Sequence, residues 1–325
     1  MKTVRNNRYR RKRRRSNRER FLVLAAILGG AVVIAAAIVI CVLVFLPKKE
    51  EPALPPSSQA ESQISSEASS APPKPAVDMS DVNPNAATAV AEGELAYQSL
   101  YPELYVPIVE KIPVKDGDKV IYLTYDDGPS EETERLLDIL DQEGVKATFF
   151  VMAQGKSLED CKKWLKTIVD RGHAIGVHTY SHQYKEIYAS PQAFLEDFKK
   201  MHDLIYEATG QKITMFRFAG GSVNAYNKTT CKAIIAEMER RGYTYFDWNV
   251  DSGDSEKGNN GKFIYDTTTQ EILSHQKSIV LMHNSKAKKA TVDQTAAIIE
   301  KAKVAGYRFD VLDPSVKPFK FKIPE

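Results

Sequence analysis

Val120-Ile121-Tyr122-Leu123-Thr124-Tyr125-Asp126-Asp127-Gly128-Pro129-Ser130 is an apolar run that ends on two adjacent acids and a Gly-Pro pair. A short run of β-branched and aromatic residues closed by turn residues describes a buried strand. Neighbouring side chains on a regular strand point to opposite faces, so two consecutive carboxylates can serve one cavity only where the strand bends. By themselves Asp126 and Asp127 read equally well as turn punctuation. What stands at the ends of the other strands decides between the two.

From about residue 100 onward the chain alternates strand and helix patterns. Strands are expected over 119–125, 146–152, 174–178, 213–218, 243–250, 278–283 and 307–312. Helices are expected over 130–143, 157–171, 191–209, 228–241, 268–276 and 292–305. Stop signals follow five of the helices: Glu143-Gly144, Arg171-Gly172, Thr209-Gly210, Arg241-Gly242 and Ala305-Gly306. Regular alternation of this kind builds a parallel sheet with crossover helices. The expected fold is α/β, a distorted (β/α)7-8 barrel over 99–325, with an open doubly wound sheet as the other arrangement of the same elements. No Gly-rich phosphate loop follows any strand, so nucleotide binding has no support.

Four more strand ends carry reactive residues. His178-Thr179-Tyr180-Ser181-His182 follows the third expected strand. On a strand the two histidines would lie about 13 Å apart. On a helical turn, positions i and i+4 are neighbours, and two imidazoles can then share one zinc. Met215-Phe216-Arg217-Phe218-Ala219-Gly220-Gly221 ends a strand in a Gly-Gly turn, where Arg217 would pair with a carboxylate. Tyr245-Phe246-Asp247-Trp248-Asn249-Val250-Asp251-Ser252-Gly253-Asp254 runs an aromatic strand into acids, and Ser278-Ile279-Val280-Leu281-Met282-His283 ends in a histidine. Each alone reads as an ordinary turn or a satisfied core side chain. In a β/α barrel, however, function sits at the C-terminal ends of the strands. Asp126-Asp127, His178, Arg217, Asp251 and His283 all fall there, on five different strands. The other histidines, His173, His202 and His275, do not.

The N-terminal third is of another kind. Residues 1–20 hold eleven Lys and Arg against Glu19 alone. The whole chain is +3, so the body is mildly acidic and no nucleic-acid partner is expected. Phe21 to Leu46 is twenty-six residues without a charge, enough at about 1.5 Å per residue to cross a hydrocarbon core of roughly 30 Å. That length favours a retained transmembrane helix over a cleaved signal peptide. The positive-inside rule puts residues 1–20 in the cytoplasm and everything after Pro47 outside, giving a single-pass cell-membrane protein with an extracellular domain. Residues 47–98, rich in Pro, Ser, Ala and Glu, read as a disordered extracellular linker. Cys41, Cys161 and Cys231 show no framework or metal-ligand spacing, and Cys161 and Cys231 are expected to be free.

Taken in order, the five strand-end motifs resemble those of the polysaccharide deacetylases of carbohydrate esterase family 4, the NodB-homology family, over about residues 117–313. The family's Thr-Phe-Asp-Asp-Gly-Pro is Thr124 to Pro129 here, and its His-Ser/Thr-x-x-His is His178 to His182. The resemblance implies a divalent metal, zinc by preference, held by Asp127, His178 and His182. It implies Asp126 as general base, oriented by Arg217, and His283 as general acid, tuned by Asp251. The substrate it implies is an acetylated glycan, with peptidoglycan N-acetylglucosamine the leading choice for an anchored, outward-facing enzyme. An O-acetyl (xylan-type) esterase and a catalytically silent wall-binding scaffold are the alternatives. Two positions depart from the family pattern. Its Arg-x-Pro-Tyr is Arg217-Phe218-Ala219-Gly220, and the tryptophan that often follows its second motif-four acid is Ser255. The Gly220 N–H is therefore expected to serve the oxyanion, with Tyr245 and Trp248 building the acetyl wall.

Overall fold

The computed structural model describes residues 95–113, 117–256, 258 and 260–324. The chain divides into two compact units, Met1–Lys74 and Pro75–Glu325, and every described residue belongs to the second. The expected basic arm, transmembrane helix and most of the expected linker lie outside the described residues. Among those described, no helix is long and apolar enough to cross a membrane. The described chain starts at Leu95, and buried Arg241 already binds the carbonyls of Leu100 at 2.7 Å and Tyr101 at 2.8 Å.

The elements follow in order as β1 (Val120–Gly128), α1 (Thr133–Gln142), β2 (Thr148–Val151), α2 (Leu158–Asp170), β3 (Ala174–Val177), α3 (Tyr184–Ile187), α4 (Pro191–Thr209) and β4 (Met215–Phe216). Then come α5 (Cys231–Arg240), β5 (Thr244–Tyr245), β6 (Val250–Asp251), α6 (Gly261–Leu273), β7 (Lys277–His283), α7 (Lys289–Val304) and β8 (Arg308–Phe309). The strands form one parallel sheet in the order β5-β4-β3-β2-β1-β7-β6, with β8 paired to the start of β1. Parallel strands covered on both faces read as continuous apolar runs, which is how β1 reads. Its alternate residues divide between two cores. Ile121, Leu123 and Tyr125 pack outward with helix residues such as Leu136, Leu165 and Ile298. Val120 and Tyr122 pack inward with Phe150, Met215, Phe246 and Ile279.

The expected strand 243–250 is two strands. β5 pairs with β4 at one edge of the sheet, and β6 pairs with β7 at the other. Five residue steps join Tyr245 to Val250, a reach of about 18 Å at most, so the sheet curls until its edges nearly meet. This is a parallel half-barrel, as a distorted (β/α) barrel requires, and among the described residues no ladder joins β5 to β6. Residues 246–249 cross the gap instead: Phe246 N–H donates to Phe216 O at 3.1 Å, Asp247 N–H to Phe319 O at 3.0 Å, and Asn249 N–H to Ile279 O at 3.2 Å.

Two helix expectations change. The helix expected at 268–276 spans Gly261–Leu273, because the Asn260 side chain caps it by accepting the Phe263 N–H at 3.0 Å. A short turn of helix, α3, also follows the His178–His182 loop. Elsewhere the end signals hold. Ser157 and Ser190 cap α2 and α4, and Gly210 closes α4 in the left-handed region at φ 70°. Cys161 and Cys231 are free and buried.

Candidate active site

The two adjacent aspartates reach one cavity through a bulge. Asp126 pairs with Phe150 and Gly128 with Val151, so Asp127 is one residue extra on β1. Its φ of 66° is left-handed. Such a residue breaks the strict alternation of faces and re-aims its side chain. Gly128 completes the bend at very close range: a Cβ there would fall 2.0 Å from Asn284 Oδ1, so only glycine fits.

Three donor side chains converge at the bulge. The ligand atoms of Asp127, His178 and His182 all lie within 4.8 Å of one another. His178 Nε2 is 3.5 Å and His182 Nε2 3.3 Å from Asp127 Oδ1. His178 Nδ1 lies 3.0 Å from the Arg217 carbonyl. A carbonyl can only accept, so Nδ1 carries the proton and Nε2 offers a lone pair. Burial lowers the His178 pKa, which keeps it neutral. Asp127 Oδ1 is buried and has no hydrogen-bond partner among the described residues. An orphaned carboxylate oxygen facing a bare imidazole nitrogen is repulsive without a cation between them. Two nitrogens and one oxygen suit zinc, and a three-residue set leaves a position open. The residues therefore fit a divalent metal.

The base position is set from beneath. Asp126 is 2% exposed and Arg217 fully buried. Arg217 Nη1 donates to Asp126 Oδ1 at 2.9 Å and to Thr124 Oγ1 at 2.6 Å, while its Nε donates to Phe246 O at 2.9 Å. The Phe150 ring lies 4.4 Å from the guanidinium carbon. Arg217 thus ties the strand-crossing segment, β1 and the Asp126 carboxylate into one rigid unit.

His283 pairs in register with Asp126 on the neighbouring strand. Its partner is Asp254, not the expected Asp251. Asp254 Oδ1 lies 2.7 Å from His283 Nδ1, and its Oδ2 accepts the His283 N–H at 2.9 Å and the Thr291 hydroxyl at 2.8 Å. Burial would lower the His283 pKa, but the Asp254 hydrogen bond and charge push it up to about 9. Asp251 instead accepts the Gly253 N–H at 2.8 Å, an Asx turn that swings Asp254 toward His283. Both acids stand in one Asp-Ser-Gly-Asp turn, and only that turn's geometry tells them apart.

The expected acetyl wall is corrected at Tyr245, while Trp248 stays beside the Gly-Gly turn and Arg217. Tyr245 is 1% exposed and belongs to the aromatic core, its ring edge-on to Phe218 at 5.3 Å. Trp248 packs edge-on to Phe321 at 4.8 Å, lies against Gly221, and has Arg217 5.7 Å from its ring. Gly220 stays at the rim, and its N–H makes no hydrogen bond among the described residues. A groove of about 340 Å³ opens beside Asp127, lined by Met152, Lys156, Trp164 and Ser285 among others. The remaining histidines stand apart; His173, for example, accepts the Ala147 N–H at 3.1 Å.

One residue with a clear role was not expected. Asp197 in α4 binds the whole His178–His182 loop: Oδ2 accepts the Thr179 hydroxyl at 2.5 Å and the Tyr180 N–H at 2.7 Å, and Oδ1 accepts the Ser181 N–H at 2.9 Å. Its only signal in the sequence is an acid on the buried face of an amphipathic helix. Asp197→Asn puts an amide NH2 where a donor now points. We expect it to weaken the binding of an added divalent metal by about 10–100-fold, as loss of such outer support does. Competition against a chromophoric chelator measures this, and unchanged affinity would refute the role.

The sequence profile of the family described as Polysaccharide deacetylase matches residues 114–245. The Bacillus subtilis protein YheN, which carries a polysaccharide deacetylase name, is 34% identical over 207 residues, 62% of this chain and 70% of that protein. A Bacillus cereus peptidoglycan-N-acetylglucosamine deacetylase is 26% identical over 234 residues, 69% of this chain and 81% of that one. Among solved structures, the catalytic domain of peptidoglycan N-acetylglucosamine deacetylase from Eubacterium rectale is 34% identical with a TM-score of 0.62, covering 67% of this chain and 98% of that chain.

Proposed function

Because this chain belongs to the polysaccharide deacetylase family, hydrolases of N-acetyl amide bonds, we propose that it deacetylates the N-acetylglucosamine of peptidoglycan in a metal-dependent reaction. The observation that carries this reading is the Asp127, His178 and His182 cluster, flanked by Asp126 with Arg217 and by His283 with Asp254. Asp127, His178 and His182 would hold the ion. When bound, zinc supplies an acidified water and an electrophile for the acetyl carbonyl.

The chain's own residues supply the rest. Asp126 takes the proton of the attacking water as the new C–O bond forms. Arg217 keeps that carboxylate aimed and supplies its counter-charge. The free Gly220 N–H is offered to the oxyanion. His283 gives its proton to the amine as the C–N bond breaks, and Asp254 on Nδ1 keeps the imidazole charged until then. The products are acetate and a free amino sugar.

Residues 1–46 support a membrane-anchored form with the catalytic unit outside the cell, where it meets the wall. The test uses the full chain, which should need detergent to leave the membrane fraction. Loaded with zinc, it should release acetate from peptidoglycan, and a chelator should abolish release. Acetate from acetylated xylan but not from peptidoglycan would favour the ester reading. Release from neither would refute deacetylation, and recovery without detergent would refute the anchor.

A further inference from the structure

Gly220 brings no side chain to the rim of the site, yet the space above it is filled. An ideal Cβ at residue 220 would lie 2.8 Å from Tyr184 Cε1 and 3.2 Å from Tyr184 Oη. The ring comes from the first residue of α3, two residues past His182. It stands edge-on to the His182 imidazole, with centroids 5.0 Å apart and planes at 83°. Tyr226 backs it from outside at 5.2 Å and Tyr188 from the core side at 6.1 Å. The turn beneath is fixed: Asn224 Nδ2 donates to Ala219 O and Gly221 O, each at 3.1 Å, and the Tyr188 hydroxyl donates to Ala219 O at 2.7 Å. The Tyr184 side chain is half-buried, and its hydroxyl meets no hydrogen-bond partner among the described residues.

A half-buried phenol with an unused hydroxyl, held rigidly beside a candidate ligand histidine, is a contact in search of a polar, ring-shaped ligand. A pyranose fits that description, since its C–H face packs on an aromatic ring and its oxygens accept from a phenol. We propose that Tyr184 is the wall of the acetyl-sugar pocket and determines its specificity, filling from the His178–His182 side the volume that Gly220 leaves empty. The assignment rests on the deacetylase reading given above. It also gives Gly220 a second reason to be glycine: besides its φ of +73°, a methyl group there would drive the Tyr184 ring out of place.

The test is kinetic, on zinc-loaded full chain with N-acetylated glycan oligomers. Tyr184→Phe removes one hydrogen bond and should raise KM by about fivefold with kcat little changed. Tyr184→Ala removes the wall and should lower kcat/KM by about 10–100-fold. Both variants should still bind one zinc, which separates a sugar contact from damage to the ligand loop. Gly220→Ala should lose activity in the wild-type background and lose much less when added to Tyr184→Ala. The backbone strain at residue 220 is common to both backgrounds, so it cancels in this cycle. Equal loss from Gly220→Ala in the two backgrounds, or wild-type KM and kcat in both Tyr184 variants, would overturn the proposal while leaving the deacetylase reading standing. A wild-type chain that releases no acetate would refute that reading instead.

Discussion

Asp126→Asn should lower kcat by about 10²–10⁴-fold, the usual worth of a positioned general base, while the protein still binds added divalent metal. The two halves of that expectation come from different atoms. The ligand cluster draws on Asp127, His178 and His182, and Asp126 is not among them. Asparagine keeps an oxygen for the Arg217 Nη1 donor now 2.9 Å away, so the bulge and Arg217 hold their places. What it loses is the capacity to take a proton. It also leaves Arg217, fully buried, without its counter-charge. Breaking a buried pair from one side costs about 3–5 kcal/mol. The Thr124, Phe246 and Asp247 oxygens around Arg217 soften this, because they still accept its other N–H groups. The variant should therefore melt several degrees lower yet remain folded at assay temperature. Single-turnover acetate release and zinc content on one preparation check both halves. A rate within threefold of wild type would remove Asp126 from the role of base.

How much of this site the sequence reveals depends on how local each contact is. β1 is legible because a strand buried on both faces needs an unbroken apolar run, and the turn after it needs Gly128 and Pro129. Convergence at the strand ends is legible too, since parallel topology alone sends Asp127, His178, Arg217 and His283 to one face. The bulge is not. Nothing in Tyr125-Asp126-Asp127-Gly128 announces that β2 advances one residue while β1 advances two. The break between β5 and β6 is hidden because the aromatic run from Tyr243 onward looks continuous, although two edges of the sheet claim its ends. Asp197 and Tyr184 act through loops remote from them or through an absent side chain, at residues 178–182 and 220. Those relations are set by the packing of α3 and α4 and by no spacing in the chain.

The choice between Asp254 and Asp251 has the sharpest pH signature. His283 sits at about 9 because Asp254 holds its Nδ1 proton at 2.7 Å. A raised histidine pKa means that the folded state binds the proton more tightly than the unfolded chain. Its contribution to stability is then complete below about 6.5, the unfolded value, and lost as pH rises through about 9. The charged ring delivers its other proton, on Nε2, to the leaving amine, so kcat should fall on the alkaline side at or below that pH. A cation held by Asp127, His178 and His182 would add repulsion and bring the limb lower, never higher. Asp254→Asn removes the largest upward influence on His283, and the limb should move at least one pH unit toward neutrality. The variant's melting temperature should also lose less than wild type's between pH 7 and pH 10. Asp251→Asn keeps an oxygen to accept the Gly253 N–H, so its Asx turn survives and its alkaline limb should stay where wild type's is. A limb that moves with Asp251→Asn and not with Asp254→Asn would return the tuning role to Asp251. Movement with Asp254 alone identifies the acid that keeps His283 charged, and with it the residue that makes the amine a leaving group near neutral pH.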